Sequence, residues 1–98
     1  MTTPTPPQAA RRFLRNAKIE EAPLQGELML FDPATSKFFV LNRTMTFVWR
    51  RCDGEHTVTR MLDEMEAEFV GVEKNAAEAD LQRALEELTA LGLVVDGA

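Results

Sequence analysis

Residues 37–49, Lys-Phe-Phe-Val-Leu-Asn-Arg-Thr-Met-Thr-Phe-Val-Trp, constrain the fold more than any other stretch, because a strand pattern passes directly into a helix pattern there. Phe38, Phe39, Val40 and Leu41 are consecutive and apolar, with two aromatics and one β-branched residue, which fits a strand better than a helical turn. Both faces of that strand are apolar. Such a strand needs cover on each side, or it lies at a sheet edge where an extended partner supplies the missing contacts. Asn42 and Thr44 follow, either able to place a side-chain oxygen on the open N–H groups of a first helical turn. Met45, Val48, Trp49 and Cys52 then recur at helical spacing.

The flanking segments extend both patterns. Residues 1–10, with Pro4, Pro6 and Pro7 among threonines, have no hydrophobic period and read as a disordered arm ahead of a single domain over residues 11–98. A first strand is expected within Asn16–Glu21, closed by Ala22-Pro23, and a second over Glu27–Phe31. Asp32-Pro33-Ala34-Thr35-Ser36 has turn chemistry, so the second strand and Lys37–Leu41 form an antiparallel hairpin. Three helices follow, each with a glycine behind it (Gly54, Gly71 and Gly92) to close it. Thr57 caps the second, whose Val58, Met61, Leu62, Met65 and Phe69 share a face. Asn75 and Glu78 have capping-box spacing for the third, with Leu81, Ala84, Leu85, Leu88 and Leu91 as its apolar stripe. Leu93-Val94-Val95 either folds back onto the core or extends along the sheet. Strands first and helices after, without alternation, give the α+β class.

Charge and composition narrow the function. The chain carries a net charge of −5, divided as +3 over residues 1–60 and −8 over residues 61–98. No apolar run approaches the roughly 18 residues needed to span a bilayer, and the start lacks a signal peptide's apolar centre, so a cytoplasmic location is expected. The single cysteine, Cys52, has no second thiol for a disulfide or metal site and reads as a small core hydrophobe. His56, the only histidine, reads as an exposed loop residue. Asp63, Glu64, Glu66 and Glu68 resemble paired carboxylates but fall largely opposite Met61, Leu62 and Met65, as a solvated helix face does. Met61, Met65 and Trp49 read as core. There is no nucleophile with a base, no metal cluster and no phosphate loop, so no catalytic residue, metal or cofactor is assigned.

The order Gly26, Leu41-Asn42-x-Thr44, Trp49, Cys52-Asp53-Gly54, Thr57-Val58, Phe69, Asp80, Leu85, Leu88 and Gly92-Leu93 resembles the PqqD family. These small domains are also called RiPP recognition elements, and the likeness covers roughly residues 26–95. The resemblance implies a winged-helix-like fold, a three-stranded antiparallel sheet followed by three helices. It also implies that a precursor's leader peptide adds as a strand along the third strand, in the cleft beside the third helix. Mapped onto this chain, the peptide-binding residues are Lys37, Phe38, Phe39, Val40 and Leu41 with Leu81, Ala84, Leu85 and Leu88. Family members present the peptide to a modifying enzyme, often a radical-SAM enzyme. Residues 72–79 read as a longer connection than the shortest members need.

Two other readings compete. A winged helix could bind DNA, but the third helix, over about residues 76–91, sets Glu78, Asp80, Glu86 and Glu87 against Arg83 alone, which repels phosphates; only Arg50, Arg51 and the arginines at 11, 12 and 15 favour a duplex. The apolar edge could instead pair with another protein, or with a second copy to give a homodimer.

Overall fold

The computed structural model describes residues 10–69, 71 and 73–97, so the arm expected over residues 1–10 lies, apart from Ala10, outside the described residues. In chain order the elements are β1 (Arg12–Arg15), β2 (Glu20–Leu24), β3 (Glu27–Asp32), β4 (Lys37–Leu41), α1 (Arg43–Arg50), β5 (Asp53–Thr57), α2 (Val58–Glu68), α3 (Lys74–Ala90) and β6 (Val94–Asp96). The class is α+β. Instead of one sheet, however, the strands form two antiparallel sheets of three, ordered β2-β3-β4 and β5-β1-β6.

The first sheet follows its hydrophobic pattern. The β3–β4 hairpin has the expected register, with Leu28 opposite Leu41, Met29 opposite Val40 and Phe31 opposite Phe38. Alternation turns Leu28, Leu30 and Leu41 inward, where each is 2% exposed or less, and burying each such side chain is worth about 1.5–3 kcal/mol. β2 begins later than the expected first strand and runs through Pro23. The missing N–H is tolerated because, among the described residues, β2 pairs only with β3, at the sheet's edge.

The second sheet escaped the sequence reading, and its composition explains why. β1 is Arg-Phe-Leu-Arg and β5 is Asp-Gly-Glu-His-Thr, neither carrying a period-two apolar run. Backbone pairing and turn chemistry build them instead. Gly54 takes φ +80°, and a Cβ there would meet Leu14 Cδ2 at 2.7 Å, so the strand entry needs glycine for both conformation and space. The strands-then-helices order is thereby corrected: β5 separates α1 from α2, and β6 follows α3. The alternative left open for Leu93-Val94-Val95 resolves as a strand, with Val94 opposite Arg15 and Leu93 and Val94 buried.

Capping separates the helices. The Asn42 side chain accepts from the Met45 N–H at 2.8 Å and Thr57 Oγ1 from the Arg60 N–H at 3.2 Å. The capping box expected at Asn75 is not formed. α3 starts at Lys74, with Glu73 in the cap position and no side-chain hydrogen bond, so most of residues 72–79 is helix rather than a long connection. Arg15 of β1 donates to the carbonyls of Trp49 and Arg50 at 3.3 and 2.8 Å, satisfying the carbonyl end of α1 and tying the second sheet to it. Trp49 is 1% exposed and its Nε1 donates to Glu21 Oε1 at 3.0 Å. One core joins Leu28, Leu30 and Leu41 to Phe13, Trp49, Met61, Met65 and the stripe of α3.

Candidate peptide-binding edge

Among the described residues β4 pairs with β3 on one side and with no strand on the other. Its backbone therefore presents a row of donors and acceptors to any extended chain that arrives. Among the described residues β2, β5 and β6 also have a free side, but each is blunted. β2 contains Pro23 behind Glu20 and Glu21, β5 has no apolar side chain, and β6 is three residues long and ends in Asp96. β4 has only Lys37, at its entry, as such a guard. Its Phe38 and Val40 are 63% and 58% exposed, the two most exposed large apolar side chains described.

Those two residues stand on the outer face of the sheet, next to half-buried Met29 and Phe31. Phe31 and Phe38 stack with ring centroids 4.6 Å apart, which holds Phe38 in place without covering it. Phe39 and Leu41 point inward, the first half-buried and the second buried. At the C-terminal end of β4 the start of α1 faces α3 across a groove of about 250 Å³ lined by Asn42, Thr44, Met45, Asp80, Arg83, Ala84 and Glu87. Asp80 and Glu87 outweigh Arg83 there, so the groove carries a net negative charge.

The nine residues singled out in the sequence thus divide. Lys37, Phe38, Phe39 and Val40 lie along the open edge, whereas Leu41 is in the core. Leu81, Ala84, Leu85 and Leu88 are 1%, 4%, 2% and 0% exposed, because one stripe of α3 cannot both pack on the core and line an open cleft. Of the four, Ala84 also lines the groove. The sequence reading missed Asn42, Thr44, Met45, Asp80, Arg83 and Glu87 as groove residues, since a groove between two helices is set by how they approach in space and no local pattern records that.

A second polar cluster lies away from this edge. His56 is on β5 and not on an exposed loop: Nδ1 lies 2.8 Å from Asp53 Oδ2, and Nε2 lies 3.3 Å from Glu64 Oε2. Glu64 also accepts from Arg51 at 2.8 Å and Arg60 at 3.2 Å, so this carboxylate of α2 is tied down while Asp63 and Glu68 are exposed. Partial burial pushes the Asp53 carboxyl up, but N–H groups of His56 and Glu55 and the His56 ring outweigh it, and its pKa falls to about 2. The N–H of Arg51 leads in holding Glu64 below the usual carboxylate range. Burial pushes the Cys52 thiol up to about 12, leaving it an unreactive core group. Among the described residues no cluster of three or more His, Cys, Asp or Glu could hold a metal, and no helix is long and apolar enough to cross a membrane.

Comparison with known proteins places this architecture. No curated protein matches the sequence. Among solved structures, TbiB1 in complex with the TbiA(beta) leader peptide superposes with a TM-score of 0.73 at 21% identity, covering 83% of this chain and 93% of that one. Lasso peptide synthetase B1 complexed with the leader peptide gives 0.75 at 21% identity, covering 86% and 98%. At that identity the likeness establishes the fold. The family model for Coenzyme PQQ synthesis protein D (PqqD) matches residues 27–94, from the first residue of β3 to the first of β6. With more than half of the chain inside that match, this protein belongs to the PqqD family.

Proposed function

We propose that this chain is a non-catalytic peptide-binding module that takes up the leader of a ribosomally made precursor by strand addition at β4 and presents it to a modifying enzyme, such as a radical-SAM enzyme. The observation that carries this reading is the side of β4 left without a strand among the described residues, with Phe38 and Val40 exposed beside it. Main-chain hydrogen bonds along an edge give affinity whatever the guest's sequence, and the side chains flanking it select alternate guest residues. Lys37–Val40 supply the edge, and the groove at Asn42, Asp80, Ala84 and Glu87 extends it toward α3. Membership of the PqqD family and the leader-peptide complexes of the two structural neighbours support the same reading.

Exposed Glu78, Asp80, Glu86 and Glu87 on α3 face only Lys74 and Arg83 as counter-charges on that helix, which disfavours a duplex. The test is titration of the labelled protein with a synthetic leader from a neighbouring short open reading frame. Amide shifts at Lys37–Leu41 and along α3, with a Kd of about 1 μM or tighter, are expected. Val40→Pro, confirmed as folded by circular dichroism, should abolish them by removing an N–H and crowding the edge. Leader binding that survives in the folded variant would move the cleft elsewhere.

A further inference from the structure

The exposed face of β4 is complementary to itself. Phe38 and Val40 stand one residue either side of Phe39 and end two apolar rows on the outer face of the first sheet, one of Phe31 with Phe38, the other of Ala22, Met29 and Val40. A second copy brought to this edge by a twofold axis at Phe39 runs antiparallel to the first. Phe38 then lies opposite Val40 of the second copy, and Val40 opposite its Phe38. An aromatic ring beside a β-branched side chain is a favourable cross-strand pair, and the axis supplies it twice. Each row then runs unbroken through five apolar residues, Phe31 and Phe38 continuing into Val40, Met29 and Ala22 of the second copy, across a single sheet. On the inner face, half-buried Phe39 meets its own counterpart.

The charges agree with the same register. Lys37, the one guard of this edge, falls opposite Leu41 of the second copy, so the two lysines lie at opposite ends of the seam and never face each other. Each instead reaches the end of the strand where the second copy's groove begins, whose Asp80 and Glu87 outnumber Arg83. Lys37 is available for this: it forms no ion pair among the described residues, and its cross-strand neighbour Asp32 accepts from the Ala34 N–H at 3.0 Å. We propose that β4 pairs with β4 of a second copy of this chain, and that the homodimer masks the edge until a leader peptide displaces it. The masking rests on the leader-binding reading above, whereas the self-pairing stands without it. A seam of five residues a side falls well short of the roughly 20–30 a side of a standard interface. The dimer is therefore weak and exchanges readily, as a cover that a peptide must replace has to do.

Sedimentation of the full chain without peptide tests the self-pairing. The mass should rise from one chain toward two with a dimer Kd of about 10–100 μM, and dilution should shift the amides of Lys37–Leu41. The Phe38→Glu/Val40→Glu variant sets like charges opposite each other and should weaken the dimer about tenfold or more, while Phe38→Glu/Val40→Lys sets opposite charges there and should dimerise several-fold more tightly than the first variant. Both positions are exposed, so both variants should keep the parent melting temperature within about 3 °C. Equal weakening by the two would overturn the register, and a chain that stays monomeric at millimolar concentration would overturn the self-pairing while leaving the leader reading untouched. The synthetic leader, added next, should return dimers to monomers, its apparent Kd rising with chain concentration. A leader that binds the intact dimer would overturn the masking. Dimers whose dilute monomer ignores the leader would sink the leader reading and the masking together, with the self-pairing upheld.

Discussion

The two sheets are built on opposite terms. β2-β3-β4 is held by alternating apolar residues whose inner row, Leu28, Leu30 and Leu41, is shut into the core, and its β4 edge is left open and apolar. β5-β1-β6 is held by backbone pairing across a strand flanked by arginines, by the Arg11–Asp96 ion pair at 2.6 Å and by the Asp53, His56 and Glu64 cluster. Its edges are short or polar. Natural sheets guard their edges because an unguarded one pairs with whatever strand it meets. The same chain guards one sheet and, among the described residues, leaves β4 of the other bare apart from Lys37, and the proposed strand addition rests on that contrast.

Three changes break or sharpen this contrast. Leu30→Ala, at a fully buried position of the first sheet, should lower stability by about 2–5 kcal/mol, read by urea unfolding. Both sheets should melt together, since a single core joins them; separate transitions would show two independent units. Gly54→Ala acts on the second sheet, forcing a Cβ into φ +80° and toward Leu14, at a cost of about 1–3 kcal/mol. Hydrogen exchange should quicken in β1 and β5 before β3 and β4; uniform quickening would place the strain elsewhere.

The smallest effect is acid sensitivity. Asp53 titrates at about 2 in the folded chain, against an ordinary value of 3.8. A carboxyl depressed by folding adds stability above its unfolded pKa and loses it as pH falls through the folded one. The contribution, about 1–2 kcal/mol, is therefore full above about pH 5 and disappears between about pH 4 and pH 2. Glu64, shifted in the same direction, adds to it. Asp53→Asn should flatten that part of the acid unfolding curve, and an unchanged curve would show that the Asp53 cluster contributes nothing to the pH response.

The first sheet was legible because burial writes itself into sequence. Unbroken apolar runs in Glu27–Asp32 and Lys37–Leu41, and Asn42 as a cap, follow from residue chemistry near in the chain. The second sheet was not. Asp53–Thr57 pairs with a strand some forty residues earlier, and nothing in a run of polar residues announces a distant backbone partner. Asn75 shows the converse failure: a good local capping signal gave way because α3 begins one residue before it.

By itself, the sequence determined the α+β class, the β3–β4 hairpin, three helices and an apolar strand with more greasy faces than its own neighbours would cover. Only the tertiary structure decided which of those faces stayed open. Hydrophobic pattern records that a side chain prefers burial, but the surroundings decide whether it is buried. Packing α3 against the other helices consumed Leu81, Leu85 and Leu88, and β3 occupied one side of β4 while no strand among the described residues took the other.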